Sequence, residues 1–208
     1  MLQTIISASA VFISTSIDYL LIITIVFAQA KTKKSAAHIV GGQYLGTAIL
    51  VTVSLIAAFV LHFIPQEWIT GLLGLVPITL GIWAAFKKGE NEEDEAQEVV
   101  EKLEARKSTL LFWTITMITI ASGGDNLGIY IPYFSAMPAE RIAAALVIFA
   151  LGTLLVCYIG FKLSSVPLIA KTLEKYERVI VPIVYIGLGI YIMAESGTFA
   201  KLMQLIGL

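Results

Sequence analysis

Two carboxylates stand where so apolar a chain would not ordinarily keep them. Asp125 follows two adjacent glycines in Ser122-Gly123-Gly124-Asp125-Asn126, and it is the only charged residue in the run from Thr109 to Phe134. Asp18 closes Ser14-Thr15-Ser16-Ile17-Asp18, midway along the first apolar run. An aspartate at the centre of a bilayer costs about 2.5–3.5 kcal/mol on insertion scales, so each needs packing, pairing or function to offset it. Oxygen donors surround the pair: the hydroxyls of Thr15, Ser16 and Ser122, the amide of Asn126 and, in a secondary place, the amide of Gln43. Carbonyls released where Gly123 and Gly124 loosen a helix add to the set. Two negative charges among neutral oxygens suit a divalent cation, because they neutralise its charge and replace its hydration shell. Two like charges in one site cannot both stay ionised once a metal leaves, so one takes a proton and metal–proton exchange follows. The competing reading is structural: each aspartate hydrogen-bonds a neighbouring helix and fixes its packing.

The elements that must position these groups are membrane spans. Of the 208 residues, 58% are hydrophobic and 14% charged, with a mean hydropathy of +0.87. Soluble domains carry about a quarter charged residues, so the composition is that of a membrane protein. Runs of spanning length extend from Ile5 to Gln29, Ile39 to Phe63, Trp68 to Phe86, Thr109 to Phe134, Ile142 to Leu163 and Val179 to Ala194. They lack alternation and are too long for barrel strands, which predicts an all-α integral membrane protein of six transmembrane helices. The first run has no basic flank and continues past signal-peptide length. A single cysteine, Cys157, excludes an intrachain disulfide. No phosphate-binding loop or dinucleotide fingerprint occurs, which argues against an ATP-driven pump. No His-rich cluster or nucleophile–base pair points to an enzyme. No cofactor and no nucleic-acid partner are expected; the expected partners are a divalent metal cation as cargo and the lipid bilayer, and a homodimer is left open.

Basic residues set the orientation. Lys31, Lys33 and Lys34 follow the first run, Lys87, Lys88, Lys102, Arg106 and Lys107 the third, and Lys162, Lys171, Lys175 and Arg178 the fifth. The opposite side holds only Arg141 and Lys201. The positive-inside rule then puts the odd loops in the cytoplasm and both termini outside a bacterial cell membrane. The chain also repeats. Asp18 and Asp125 lie 107 positions apart, Leu45-Gly46-Thr47 and Leu151-Gly152-Thr153 106 apart, and Leu80-Gly81-Ile82-Trp83 and Leu188-Gly189-Ile190-Tyr191 108 apart. Three landmarks in three successive spans share nearly one offset, which predicts two inverted three-helix repeats, 1–87 and 108–208, joined by a charged linker over 88–107. In such a plan Asp18 and Asp125 meet near the pseudo-twofold axis at mid-membrane. The linker, rich in glutamate from Glu90 to Glu104, reads first as a solvated connection and second as an acidic antenna that concentrates cations.

The other polar residues have plainer readings. Gly41, Gly42 and Gly46 beside Gln43 and Tyr44 suit close helix packing. Pro77 and Pro132 are expected to kink or end helices, and Pro182 to start one. Cys157 reads first as a small buried hydrophobe and second as a soft-metal ligand. His38 is expected at the interface, and Lys162 and Glu195 near helix ends.

Several stretches resemble one known family. Ser14-Thr15-Ser16-Ile17-Asp18, Gly42-Gln43-Tyr44-Leu45-Gly46, the run from Gly71 to Ile82, the run from Gly124 to Phe134 and Tyr185-Ile186-Gly187-Leu188-Gly189 are similar, in order, to the cadmium-resistance transporter family (CadD) among the LysE-type exporters. The resemblance covers essentially the whole chain and implies an exporter of Cd2+ in the cytoplasmic membrane. Gly123 stands where some members carry a cysteine, which leaves Zn2+ and Mn2+ as candidate cargo beside Cd2+. LysE-type relatives also move amino acids and small organic cations, and such an exporter, its carboxylates binding an ammonium group, is the alternative.

Overall fold

The structure, a computed structural model, describes residues 2–28, 30, 32–61, 63, 67–86, 111–165 and 170–206, with side chains at all of these except 18, 21, 67, 170–178, 205 and 206. The expected linker over 88–107, Pro65 and the side chain of Asp18 lie outside the described residues, as do the side chains of Lys171, Lys175 and Arg178. Among the described residues the chain is all helix, without strands. The helices are α1 (Leu2–Ala28), α2 (Lys33–Leu61), α3 (Glu67–Gly71), a 3-10 turn (Leu72–Gly74), α4 (Leu75–Phe86), α5 (Leu111–Ser122), α6 (Gly124–Ser135), α7 (Ala139–Leu163), α8 (Ala170–Glu195) and α9 (Thr198–Ile206).

Among the described residues, three helical stretches are long and apolar enough to cross a membrane, Lys33–Leu61, Trp68–Phe86 and Ala139–Leu163. Two bent pairs raise the number to five: Leu2–Ile17 with Ile22–Ala28, turned by 62°, and Val179–Glu195 with Thr198–Gln204, turned by 65°. The run from Thr109 to Phe134, expected as one span, contains two twelve-residue helices that meet at Gly123. The chain is a multi-pass helical membrane protein. Its outer surface agrees: Ile56, Phe59, Trp83, Met117, Leu151 and Ile183 are all exposed, as suits contact with lipid.

Pairing runs between the two halves rather than within them. α1 packs along α7, α2 along α5 and on into α6, and α4 along α8. Small residues let the backbones close. A methyl group at Gly42 would strike the Phe112 carbonyl oxygen, and one at Gly46 would lie 2.5 Å from Thr119 Cβ. Gly152 is filled in the same way by the Phe12 ring, and Gly74 and Gly189 face each other's carbonyls. In lipid such close packing, rather than a hydrophobic drive, holds helices together. A ring cluster adds to it: Phe149 of α7 lies 5.3 Å from Phe12 of α1 and 5.1 and 5.7 Å from Tyr130 and Phe134 of α6, centroid to centroid.

Three boundaries differ from the sequence reading. α2 starts at Lys33, so Gln43 and Tyr44 lie three turns inside it rather than at its opening. Pro182 sits in the interior of α8, not at its start, because the helix reaches back to Ala170 through residues too charged to count as a span. Pro77 lies in the first turn of α4, just after the 3-10 turn Leu72–Gly74 that interrupts the α-helical run there. α9 was not expected. It leaves α8 through Gly197, whose φ of +66° only glycine adopts without strain.

Gly46→Ala should force α2 off α5 and destabilise the fold by about 1–3 kcal/mol. A methyl at Gly187 meets nothing within 4 Å, so Gly187→Ala should be neutral or slightly stabilising. Unfolding of both variants in detergent micelles, followed by circular dichroism, checks the pair.

Candidate functional site

Inside hydrocarbon a hydroxyl must find its partner within the protein. Most here turn back to their own helix: Ser14 to the Val11 carbonyl, Thr24 to Leu20, Ser54 to Leu50 and Thr153 to Phe149, at 2.6–2.9 Å. Others bridge helices, and several of these gather around the middle of α1 and the α2–α5 seam. Thr15, buried, bonds back to Val11 and Phe12 and faces the hydroxyl of Tyr130 on α6 at 2.9 Å. One turn on, Tyr19 reaches Thr119 of α5 at 3.0 Å. Thr119 in turn donates to the Gln43 side-chain oxygen on α2 at 2.8 Å, and the Gln43 amide nitrogen lies 3.4 Å from Thr47. Thr116 also binds across, to the Gly42 carbonyl at 3.2 Å.

These bonds bracket position 18. Ser7 meets Tyr133 at 3.0 Å and Thr15 meets Tyr130, so α1 and α6 run in opposite directions along their contact. The backbone of residue 18, one turn past Thr15, therefore falls toward the end of α6 that begins with Asp125. Residue 18 also lies within the four-residue interval over which α1 bends.

At that end the helix is broken. Gly123 interrupts the helical run, its N–H bonding back to the Thr119 carbonyl at 2.9 Å. It is locked there, because a side chain would strike Leu50 and the same carbonyl. Gly124 beside it is open, with nothing within 4 Å of an added methyl. Asp125 occupies the first turn of α6, where unfilled N–H groups favour a negative charge; its Oδ1 accepts from the Asn126 N–H at 3.0 Å. Asp125 and Ser122 are exposed, while Asn126 and Ser16 are half-buried. The structure thus brings Thr15 to Tyr130 and Gln43 to Thr119, and it sets Ser122, Asp125 and Asn126 around one break. Among the described residues no three His, Cys, Asp or Glu side chains converge. Cys157 is buried, in the cluster that contains Tyr19 and Ile23.

Thr119, Tyr19 and Tyr130 were not singled out from the sequence. The available signal was spacing: Thr116 and Thr119 share a helix face one turn before the glycine pair, and Tyr19 adjoins Asp18.

A family model described as cadmium resistance transporter matches residues 12–205, all but the ends of the chain. The chain belongs to that family. No curated protein and no solved structure compared with this transporter matches it. Every residue of the bridging chain, and both aspartates, fall inside the matched stretch.

Thr119→Val should cost about 1 kcal/mol, because it unhooks both Tyr19 and Gln43. In a double-mutant cycle with Tyr19→Phe the two losses should fall short of additive by about 0.6 kcal/mol, as for interhelical hydrogen bonds in membranes. Strict additivity in detergent unfolding would mean that the two hydroxyls do not interact.

Proposed function

We propose that this transporter exports a divalent metal cation, Cd2+ first with Zn2+ and Mn2+ as competitors, in exchange for protons, through a mid-membrane site built on Asp18 and Asp125. The observation that carries the reading is Asp125 itself, a carboxylate at the start of a helix broken inside an apolar run, in a chain of the cadmium resistance family. Its oxygens, the Asn126 amide and the Ser122 and Ser16 hydroxyls are hard donors suited to a dication. Thr15 and Gln43, held by Tyr130 and Thr119, shape the wall behind them. When the metal leaves, a first proton shared between the carboxylates relieves their mutual repulsion and a second completes the charge balance.

The pairing of helices supports an inverted repeat, and with it the equivalence of the two aspartates. Gly46 abuts Thr119 as Gly152 abuts Phe12, and these partners are related by offsets of 106 and 107. Gly81 abuts Ile186 as Gly189 abuts Ile78, both related by 108. The Tyr44 hydroxyl donates at 2.8 Å to the carbonyl of Ala150, its own counterpart at an offset of 106. Contacts that return when the halves are exchanged are what a pseudo-twofold axis produces. Six spans, halves at 1–87 and 108–208, a cytoplasmic 88–107 linker and both termini outside the cell membrane complete the proposal.

The test is Cd2+ uptake into everted vesicles under an imposed pH gradient. Wild type should accumulate Cd2+. Loss of a neighbour that merely supports a ligand costs about 10–100-fold in metal affinity, so Asp18→Asn and Asp125→Asn should each bring transport below detection while the protein still folds. Normal transport by either variant would remove that aspartate from the site. Uptake that ignores the pH gradient would remove proton exchange, and competition by lysine instead of metals would favour an organic-cation exporter.

A further inference from the structure

At the end of the bundle that carries the first turn of α1, a small polar pocket lies away from both aspartates. It is lined by Gln3, Thr4 and Ser7 of α1, Tyr133 of α6, Arg141 of α7 and Tyr191 of α8. The space between them is about that of one water. Three features of this lining point the same way.

The first is charge. Arg141 is half-buried, and its guanidinium has no ion pair among the described residues. Glu140 and Glu195 are exposed and do not line the pocket, and Glu195 lies within electrostatic reach of Tyr191 on its wall. The second is backbone polarity. α1 and α7, of 27 and 25 residues, both begin here. Pro138 starts α7 without a side-chain cap, so the Ala139 and Glu140 amides lack one, while the Arg141 N–H turns to the Pro138 carbonyl at 2.9 Å. The N-terminus of α7 thus adds partial positive charge at this end of the bundle. The third is an unmet hydroxyl. Thr4 lines the pocket at 3% exposure, and its Oγ1 is buried without a hydrogen-bond partner. A buried hydroxyl left in that state costs free energy that a bound acceptor would return. Its neighbours are already engaged, Ser7 with Tyr133 at 3.0 Å and Gln3 with Tyr191 at 3.2 Å.

A dication has no place beside an unpaired guanidinium, and a neutral water would leave the Arg141 charge unanswered. We infer that this pocket binds a small monovalent anion of halide size, held by the Arg141 guanidinium and the Thr4 hydroxyl beside the start of α7. The inference stands apart from the cargo and from the two aspartates.

Thermal unfolding of the purified full-length protein in detergent micelles tests it, with sodium chloride or bromide replaced by gluconate at constant ionic strength. Chloride and bromide should raise the midpoint saturably, and gluconate, too large for the space, should not. Thr4→Val should raise the half-saturating halide concentration by about tenfold or more, as for one hydrogen bond to a charged group. Arg141→Gln should abolish the halide effect, and Arg141→Lys should keep part of it. Equal midpoints in halide and gluconate would overturn the inference, as would a halide effect untouched by Arg141→Gln. Should Arg141→Gln fail to fold, an unchanged half-saturation in Thr4→Val overturns it equally.

Discussion

Hydrocarbon offers no partner to a hydroxyl or an amide, so the polar side chains inside this protein had to find one another or their own helix. Serines and threonines that bond back to a carbonyl one turn earlier meet that demand locally and tell little about the fold. Thr15 and Thr119 bond back and also across, and Tyr19 and Tyr130 find these partners because α1, α5 and α6 lie close enough for side chains to cross. Between α2 and α5 such closeness rests on Gly42 and Gly46, which give α2 a face without side chains against α5. Glycine packing and interior polarity are therefore one constraint: lose the first, and the second is left buried and unmet.

The same arrangement separates what is fixed from what is free around Asp125. The far half of α6 is clamped by Phe149 and by the Tyr130 and Tyr133 hydroxyl contacts. At the near end Gly123 is wedged against Leu50, while Gly124 opens on empty space. The carboxylate thus projects from a helix held firmly behind it, with room beside it. On the proposed reading, a site that takes up and releases an ion needs both a fixed ligand and a way in.

Much of this was legible in the sequence. Apolar length placed the cores of α1, α2, α4, α7 and α8, because a bilayer imposes a length that hydropathy reports directly. The break at Gly123 was legible from two glycines and a carboxylate together. What hydropathy could not report was local geometry. Residues 170–178 are too charged to look like a span, yet they continue the helix into which Pro182 falls. α9 is nine residues long, too short to register as a span, and depends on the backbone of Gly197. The bridging hydroxyls escaped for a different reason. Threonine and tyrosine are common in apolar helices, and only the partner across the interface distinguishes a bridging hydroxyl from one that bonds its own turn.

The α4–α8 seam, where Gly74 and Gly189 each fill the space a side chain would need on the other, bears on how such a sequence can drift. Volume there is a joint property of two distant positions. A larger residue at one cannot be accommodated by trimming the other, since glycine has nothing left to trim and the obstacle is backbone. Both positions are consequently frozen together, while Gly187, two residues before Gly189 and facing open space, is at liberty to change. Along one helix, two residues apart, the chain carries a blocked and an open glycine, and no measure of local composition separates them.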